Sequence, residues 1–311
     1  MSADPIVVLR ALGLGDLLTA VPALRALRRA HPAARITLVG PAPLAALLPA
    51  GLVDEARDTA PLAPLDADLV GADLGVNLHG RGPQSTDLLR ATAPRRLVSF
   101  GVTSTWWTDE HEVYRWCRLL TESGMAADPG ELDLEVPDAE PLARDAILVH
   151  PGAAQVSRRW PVQRWAEVAR RLTVAGPVLI TGSTGERGLA EQVTAAAGLP
   201  PEACVAGNTD VRGLASLVGH ARLLISADTG VAHLATALRT PSVVLFGPTS
   251  PRLWGPPSER LRHRVLWAGR TGDNFADRVD PGLLELTSDQ VVDSAWGLLF
   301  SIRARVQGLP P

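Results

Sequence analysis

The sequence predicts an α/β protein made of two successive domains, each with a parallel sheet covered by helices. Three observations favour this class. Short apolar runs typical of buried strands alternate with helical patterns along most of the chain. Glycine-containing turns follow several of these runs. The length of 311 residues suits two cores of about 150 residues better than a single one.

The first domain opens as a strand, a glycine turn, a helix and a second strand, which implies a parallel sheet. The predicted elements are strands at 6–9, 36–39, 74–78 and 95–100, with a helix at 17–30. The uncharged run at 36–53 approaches the length of a membrane span. Its prolines and glycines break it into a strand, a turn and a short helix, so no transmembrane segment is expected.

The domain boundary is predicted in a segment at 121–145 that is acidic and rich in proline and glycine, as linkers are. We therefore expect domains at 1–140 and 141–311. The strand and helix alternation then restarts. The predicted elements are strands at 147–150, 178–180, 221–225 and 243–246, with helices at 163–172, 186–197 and 231–238 and a last helix from 287.

The composition of the chain excludes several classes of binding and catalytic site. A net charge of -3 gives no electrostatic argument for nucleic acid as a partner. All 30 basic residues are arginines, which excludes a Walker phosphate loop, a Schiff-base lysine and a Ser/Lys dyad. Cys117 and Cys204 match no metal or redox spacing, which predicts a reducing, cytoplasmic location. Residues 1–5 show no basic region followed by an apolar one, so no signal peptide is expected.

The most informative motif is Asp-Thr-Gly-Val-Ala-His at 228–233, between a predicted buried strand and a helix. Free backbone N–H groups and the helix dipole at such a turn favour an anion such as a phosphate. Asp228 adds an acceptor and His233 a titratable donor. The motif predicts a nucleotide or nucleotide-sugar site.

A second glycine turn, Leu-Gly-Leu-Gly-Asp at 12–16, follows the first strand. It fails as a dinucleotide fingerprint because the third glycine would fall at Leu18. Two interpretations of Asp16 stay open: a helix N-cap, and a general base at the carboxyl edge of the sheet.

Two more turns lie at carboxyl ends of predicted strands in the second domain. The segment 150–161 contains small residues that let a ligand approach, and Arg158 and Arg159 can neutralise a diphosphate or form a solvated charge pair. The segment 181–187 ends with Glu186, which is either a helix N-terminal acid or an acceptor for a ribose diol.

Other motifs carry weaker signals. Asp66 and Asp68 have the Asp-x-Asp form of metal-dependent sugar transferases, but two carboxylates make a poor metal cage, so no metal is expected. Trp106, Trp107 and Trp254 are each compatible with a core position or with a cleft wall that stacks on sugars.

Taken in order, these motifs resemble those of the heptosyltransferase-like family 9 glycosyltransferases. The matching segments are Leu-Gly-Asp-Leu-Leu-Thr-Ala-Val-Pro-Ala-Leu at 14–24, His-Pro-Gly-Ala at 150–153, Arg-Arg-Trp-Pro at 158–161, Thr-Gly-Ser at 181–183, Asp-Thr-Gly-Val-Ala-His at 228–233 and Phe-Gly-Pro-Thr at 246–249. Asn-Leu-His-Gly at 77–80 and His-Glu-Val at 111–113 also resemble family positions, in the acceptor domain. The resemblance implies an α/β fold of the GT-B type: two Rossmann-like β/α/β domains facing each other across a cleft, the first for the acceptor and the second for the nucleotide sugar.

The resemblance also implies roles. Asp16 is the catalytic base, and Arg158 stands where the family usually has a phosphate-binding lysine. Glu186 binds the ribose and Asp228 holds the donor. Further donor-binding residues are Gly152, Gly182, Thr229, Gly230 and His233. The acceptor-binding candidates are Gly15, His79, Arg81 and Trp106, and the loops 79–90 and 102–112 are expected to select the acceptor.

The function that follows is an inverting, metal-independent transfer of a heptose or other hexose-like sugar. The donor is a nucleoside-diphosphate sugar and the acceptor a hydroxyl of a cell-envelope or other glycoconjugate. No cofactor is expected, the location is cytoplasmic, and peripheral contact with the inner face of the cell membrane stays open. Two alternatives also stay open: a nucleotide-sugar epimerase or hydrolase on the same fold, and a nucleotide-sugar-binding protein without catalysis.

Overall fold

The structure is a computed structural model in which residues 4–306 are described, with side chains as far as Ser301. The chain divides into two compact units, unit 1 at Met1–Glu135 and unit 2 at Val136–Pro311. This division lies five residues before the boundary that composition favours (135 against 140). Residues 136–140 belong with unit 2 because Val136 packs on Gly219 and the Ser216 hydroxyl donates a hydrogen bond to the Ala139 carbonyl.

Unit 1 holds one five-stranded parallel sheet with the order β3-β2-β1-β4-β5. The strands are β1 Pro5–Leu9, β2 Arg35–Val39, β3 Glu55–Arg57, β4 Leu74–Asn77 and β5 Arg96–Val98. The helices are α1 Leu14–Thr19, α2 Val21–Ala30, α3 Ala42–Ala45, α4 Gln84–Ala91 and α5 Glu112–Glu122. Chain order reverses between β1 and β4, so this is the switch point of the sheet, where α/β proteins place ligands.

The central strands of unit 1, β1, β2 and β4, are buried on both faces, as expected for parallel β-structure. Ile6 and Val8 pack under α1, α2 and α5, whereas Val7 and Leu9 pack on the opposite face with Leu89 of α4. The apolar runs of the sequence therefore predict β1, β2, β4 and β5, but not the edge strand β3.

Two predictions for unit 1 are wrong in detail. The single helix predicted at 17–30 is two helices, which meet at Ala20. Pro22 is the second residue of α2, where its missing N–H needs no helical partner, so the sequence carried a signal for this break. The segment predicted as a loop at 79–90 becomes helical from Gln84.

Unit 2 also holds a five-stranded parallel sheet, ordered β10-β9-β8-β6-β7. The strands are β6 Ile147–His150, β7 Val178–Ile180, β8 Leu223–Ala227, β9 Ser242–Phe246 and β10 His263–Trp267. The helices are α6 Val162–Leu172, α7 Arg187–Ala196, α8 Val211–Gly219, α9 Gly230–Ala237, α10 Pro251–Trp254, α11 Pro281–Glu285 and α12 Ser288–Val306. Its switch point lies between β6 and β8.

The larger core of unit 2 lies between one sheet face and the helices α6, α7 and α12. Ile147, Ile225 and Val243 are fully buried there. On the other face Val244 and Phe246 pack with Ala232 of α9. Both domains predicted from the alternation are thus present as separate parallel-sheet units.

Cys117 and Cys204 are free and buried, one in each unit. Burial raises the pKa of the Cys117 thiol to about 12. Within residues 4–306, no helix combines the length and the apolar character that crossing a membrane requires.

Candidate functional site

Asp16 lies in the first turn of α1, directly beyond the carboxyl end of β1 at the switch point of unit 1. It is the third residue of the helix, and its Oδ2 accepts a hydrogen bond from the Gly13 N–H at 3.2 Å. Gly13, not Asp16, is the N-cap, so the interpretation of Asp16 as the cap itself is wrong. The side chain is 30% exposed. One carboxylate oxygen is held by the backbone, and the group stays accessible to a ligand.

Arg10, which sequence reasoning missed, lies buried beneath the turn of Asp16. Its Nε and Nη2 donate to the Asp16 carbonyl at 2.9 and 2.6 Å, and Nη1 donates to the Leu78 carbonyl. The guanidinium therefore links the turn after β1 to the turn after β4. An arginine immediately after a buried apolar strand was the available signal, since such a charge needs partners.

Glu112 of α5 is the buried counter-ion of this group. Its Oε1 lies 3.5 Å from Arg10 Nη2 and accepts a hydrogen bond from Trp116 Nε1 at 2.8 Å. Arg115 pairs with the other oxygen, Oε2. The Arg10 guanidinium stacks 4.6 Å from the centre of the Trp116 ring. A buried network of charges and aromatic rings thus supports the turn that carries Asp16.

His79 follows β4 at the same switch point. Its Nδ1 accepts a hydrogen bond from the Ala11 N–H at 3.2 Å, so a neutral ring carries its proton on Nε2. Burial and the charge of Arg10 lower the pKa of His79, while Asp16 acts in the opposite direction. His79 is therefore a neutral donor near Asp16.

Asn77 sets the turn before His79. It is buried, its Oδ1 accepts the His79 N–H at 3.0 Å, and its Nδ2 contacts the hydroxyls of Ser85, Thr86 and Ser99. The remaining acceptor candidates differ in environment. Gly15 is the second residue of α1 and Arg81 is exposed.

Trp106 packs in a cluster with Phe100 and Trp116, at ring distances of 5.0 and 6.1 Å. The Arg115 guanidinium covers it at 4.1 Å. Its neighbour Trp107 is 52% exposed and lies 3.8 Å from the Arg118 guanidinium. Trp107 is consequently the more accessible indole of the pair.

In unit 2, Asp228 follows β8 and its carboxylate is buried. Arg158 Nη1 donates to the Asp228 carbonyl at 3.0 Å and lies 3.5 Å from Oδ2. Burial raises the pKa of Asp228 to about 6, although Arg158 acts in the opposite direction. Arg158 Nε is buried and finds no partner among the described residues. The structure thus brings together the residues after β6 and β8, on either side of the switch point.

Glu186 lies at the end of a single 3-10 turn after β7. Its Oε2 accepts hydrogen bonds from the Ser183 N–H and hydroxyl, both at 2.8 Å. Burial alone raises the pKa of Glu186, but these bonds and the nearby His150 and Arg159 bring that pKa below its ordinary value. Glu186 is therefore an ionised acceptor at neutral pH.

Gly152 makes this position of Glu186 possible. The carboxylate of Glu186 lies directly against the Gly152 Cα, where any side chain would overlap it. Gly182 is also close, since a Cβ there would lie 3.2 Å from the Glu186 Cβ. Both glycines that the family resemblance implicates are thus neighbours of one carboxylate.

Thr229 is the N-cap of α9, and its Oγ1 accepts a hydrogen bond from the Val231 N–H at 3.3 Å. Gly230 is the first residue of the helix, and the His233 ring lies edge-on to Trp254 at 5.9 Å. The amino end of α9 therefore follows the Asp228 turn directly. A helix start of this kind favours a phosphate.

A segment after β10 contacts the turn that carries Arg158. The sequence does not predict this contact. The Ser157 hydroxyl donates to the Asn274 carbonyl at 2.6 Å, and the Asp280 N–H donates to the Ser157 carbonyl at 3.0 Å. Asp280 itself is buried and caps α11. The turn that carries Arg158 is thus fixed from a distant part of the sequence.

The two carboxylates of the Asp-x-Asp motif both lie beside Arg57 in unit 1. Asp68 pairs with Arg57 at 2.5 Å and Asp66 lies 3.7 Å from the same guanidinium. In the part of the chain that the structure describes, no three His, Cys, Asp or Glu side chains form a group able to hold a metal ion.

Two Rossmann-like units with carboxylates beside their switch points define an α/β protein of the GT-B class. Residues 103–275, more than half of the chain, match the model of glycosyltransferase family 9 (heptosyltransferase). The chain belongs to glycosyltransferase family 9.

Among curated proteins, lipopolysaccharide heptosyltransferase 1 of Pseudomonas aeruginosa is 37% identical over 154 residues, which are 47% of this chain and 42% of that protein. The chain spans about half the length of the curated relatives that it matches first. Two solved structures share the fold over nearly the whole chain.

The first is a family 9 glycosyltransferase from Veillonella parvula, with a TM-score of 0.77, 21% identity, and coverage of 97% of this chain and 98% of that one. The second is the ADP-heptose lipopolysaccharide heptosyltransferase II of Escherichia coli, with a TM-score of 0.75, 20% identity, and coverage of 98% and 100%. At these identities the likeness concerns the fold alone.

Proposed function

We propose that the protein is an inverting glycosyltransferase that moves a heptose from an ADP-heptose-type donor to a hydroxyl of a cell-envelope glycolipid. The observation that carries this proposal is the presence of an accessible carboxylate, Asp16, in a different unit from all the donor candidates. A base that is separate from the nucleotide residues suits transfer to a second substrate. Family membership supports the transferase chemistry.

The donor and acceptor classes are proposed from the relatives. The similar Pseudomonas protein is named a lipopolysaccharide heptosyltransferase, and the E. coli protein of the same fold is described with ADP-heptose. A glycolipid acceptor fits a peripheral location at the inner face of the membrane.

In the proposed reaction the donor diphosphate binds at the amino end of α9 and beside Arg158. The Glu186 carboxylate accepts hydrogen bonds from the ribose hydroxyls, and the Asp228 carboxylate accepts hydrogen bonds from the sugar hydroxyls. The acceptor oxygen attacks the anomeric carbon opposite the diphosphate, and Asp16 takes the proton of that oxygen. The bond from the anomeric carbon to the phosphate oxygen breaks, so the configuration inverts. Arg158 and the helix N–H groups stabilise the charge on the leaving diphosphate, which is why no metal is proposed.

The test is transfer by the purified protein in EDTA. ADP-heptose and a panel of UDP-, GDP-, CDP- and TDP-sugars are offered with lipopolysaccharide stripped of its heptose. We expect one donor to be consumed only when the acceptor is present. Consumption without acceptor would indicate a hydrolase or epimerase, and donor binding without turnover would indicate a non-catalytic binding protein.

Asp16→Asn is the variant that tests the base. We expect transfer to fall by roughly 100-fold or more, since a positioned base contributes on that order, while donor affinity is retained. Asp58→Asn is the matched control, because Asp58 is an exposed carboxylate that also accepts a backbone N–H, from Ala42 at 3.1 Å. Full transfer activity in a folded Asp16→Asn protein would remove Asp16 from the mechanism.

A further inference from the structure

We propose that Arg10 is the positioning residue for Asp16: it holds the Asp16 turn in place and keeps a positive charge beside the carboxylate. The inference rests on the proposed function, because it assumes that Asp16 is the base. Arg10 contacts the backbone of the Asp16 turn, the Leu78 carbonyl and the buried Glu112, and it is not proposed to contact a substrate.

The first argument is the number of donors on one carbonyl. α1 has only six residues, and the Asp16 carbonyl accepts hydrogen bonds from Arg10 Nε, Arg10 Nη2 and the Thr19 hydroxyl. Nη2 also lies 3.2 Å from the Thr19 hydroxyl. A helix of this length has little stability of its own, so a buried guanidinium fixes its first turn. The position of the Asp16 carboxylate depends on that turn.

The second argument is that Arg10 joins two loops of the switch point. The same guanidinium that binds the Asp16 carbonyl donates through Nη1 to the Leu78 carbonyl, one residue before His79. Lysine has a single nitrogen and cannot hold both carbonyls in this forked geometry. Arginine at this position therefore fixes the Asp16 and His79 turns with respect to each other.

The third argument is electrostatic. Arg10 Nη2 lies 3.8 Å from Asp16 Oδ1 and 3.5 Å from Glu112 Oε1. Glu112 also binds Arg115 and Trp116, so its charge is shared among three partners. Arg10 and His79 both lie close enough to Asp16 to interact with its charge, and Glu112 lies behind Arg10. Arg10 therefore places a positive charge beside the Asp16 carboxylate and holds the turn that carries it.

The test uses Arg10→Met and Arg10→Lys in the full chain. Single-turnover transfer is measured with donor and acceptor saturating, and donor affinity and melting temperature are measured separately. For Arg10→Met we expect a roughly 100-fold lower rate, as for a misplaced catalytic group. For Arg10→Lys we expect an intermediate rate, because a single nitrogen can restore only part of the forked contact. Donor affinity should stay within about threefold in both, because the donor candidates belong to unit 2 and Arg10 to unit 1.

Arg28→Met is the matched control. Arg28 lies in the same unit, donates to the Ala34 carbonyl at 2.8 Å and pairs with Asp54 at 2.5 Å, but it does not contact Asp16. We expect an unchanged single-turnover rate and an unchanged donor affinity in this variant.

Each result separates the inference from the proposed function. If Asp16→Asn is inactive but both Arg10 variants keep the wild-type single-turnover rate, the inference fails while the base assignment stands. An Arg10→Lys protein that is as slow as Arg10→Met and melts at the same lowered temperature would indicate a purely structural arginine and would overturn the inference. If Asp16→Asn is fully active, the base assignment and the inference fail together. Arg10→Lys keeps the test decisive if Arg10→Met does not fold.

Discussion

Asp16 in unit 1 and Glu186 in unit 2 are held by the same local hydrogen-bond geometry. Each carboxylate lies three residues after the cap of a short helical turn, and one of its oxygens accepts the N–H of that cap residue, Gly13 or Ser183. This bond fixes the side chain and leaves the second oxygen available. A sequence can predict such positions because a glycine or serine, followed three residues later by an acid, marks the start of a helix.

Other residues of the sites could not be predicted in this way. Arg10 and Glu112 are 102 residues apart, and neither belongs to a local motif with the other. His150 and Thr181, joined at 3.0 Å, come from two different strand ends. Their roles depend on long-range contacts between side chains, which periodicity and turn signals do not encode.

Asp228→Asn is predicted to make the unliganded protein more stable while weakening donor binding. The carboxyl has an ordinary pKa of 3.8 and a pKa of about 6 when buried. Between these values the folded state binds more protons than the unfolded state, so the free energy of unfolding falls as pH rises and stays lower above pH 6. A neutral amide at this position avoids the decrease in the free energy of unfolding, which amounts to up to about 3 kcal/mol.

The measurement is urea unfolding of the wild type and Asp228→Asn at pH 5 and pH 8. The gain from the substitution should be larger at pH 8. Asp289→Asn serves as the control, since Asp289 is exposed and pairs with Arg171 at the surface. An Asp228→Asn protein that is less stable than the wild type at pH 8 would contradict the inference that the buried Asp228 charge lowers the free energy of unfolding.

At the scale of elements, the alternation of apolar runs and helical patterns predicts the central strands because parallel strands are buried on both faces. It misses β3 and β10, which lie at sheet edges and carry polar or bulky residues such as Glu55 and His263. It also misses the helices α4, α5, α8, α10 and α11, and it joins α1 to α2. The edge strands and the short helices α10 and α11 depend on tertiary contacts more than on local pattern. Length does not explain the absence of α5 and α8 from the prediction, since α5 is as long as the predicted α6.

Gly152→Ala is predicted to weaken donor binding at least roughly tenfold, a loss of about 1.4 kcal/mol. The turn after β6 and the 3-10 turn after β7 meet at this glycine, and a methyl group would displace the Glu186 carboxylate. Isothermal titration with the donor nucleotide measures the effect. Gly188→Ala is the control, because Gly188 lies in α7 close to Glu186 in sequence and has open space around it. Equal affinities in the two variants would show that Glu186 does not bind the nucleotide.

At the scale of the whole molecule, the sequence predicts two parallel-sheet domains because the strand and helix alternation starts twice. The position at which the chain passes from one unit to the other is set by Val136 on Gly219 and by the Ser216–Ala139 hydrogen bond. Neither contact has a local sequence signal.

We predict that residues 136–311, expressed alone, fold and bind the donor nucleotide. The unit has its own core, and Gly152, Arg158, Glu186 and Asp228 all belong to it. The measurement is a thermal shift of this fragment with the nucleotide that the full chain prefers. A ligand at about 100 times its dissociation constant adds roughly 2.7 kcal/mol. A fragment that melts cooperatively but ignores the nucleotide would show that donor binding requires unit 1.

The buried thiols have a practical consequence for spectroscopy. Cys117 and Cys204 are both shielded, and Cys117 holds its proton at neutral pH. The two native thiols are therefore expected to react slowly with maleimide reagents. One introduced cysteine on each unit can carry a fluorophore, and energy transfer between the two dyes can follow the distance between the units during turnover without removal of a native residue.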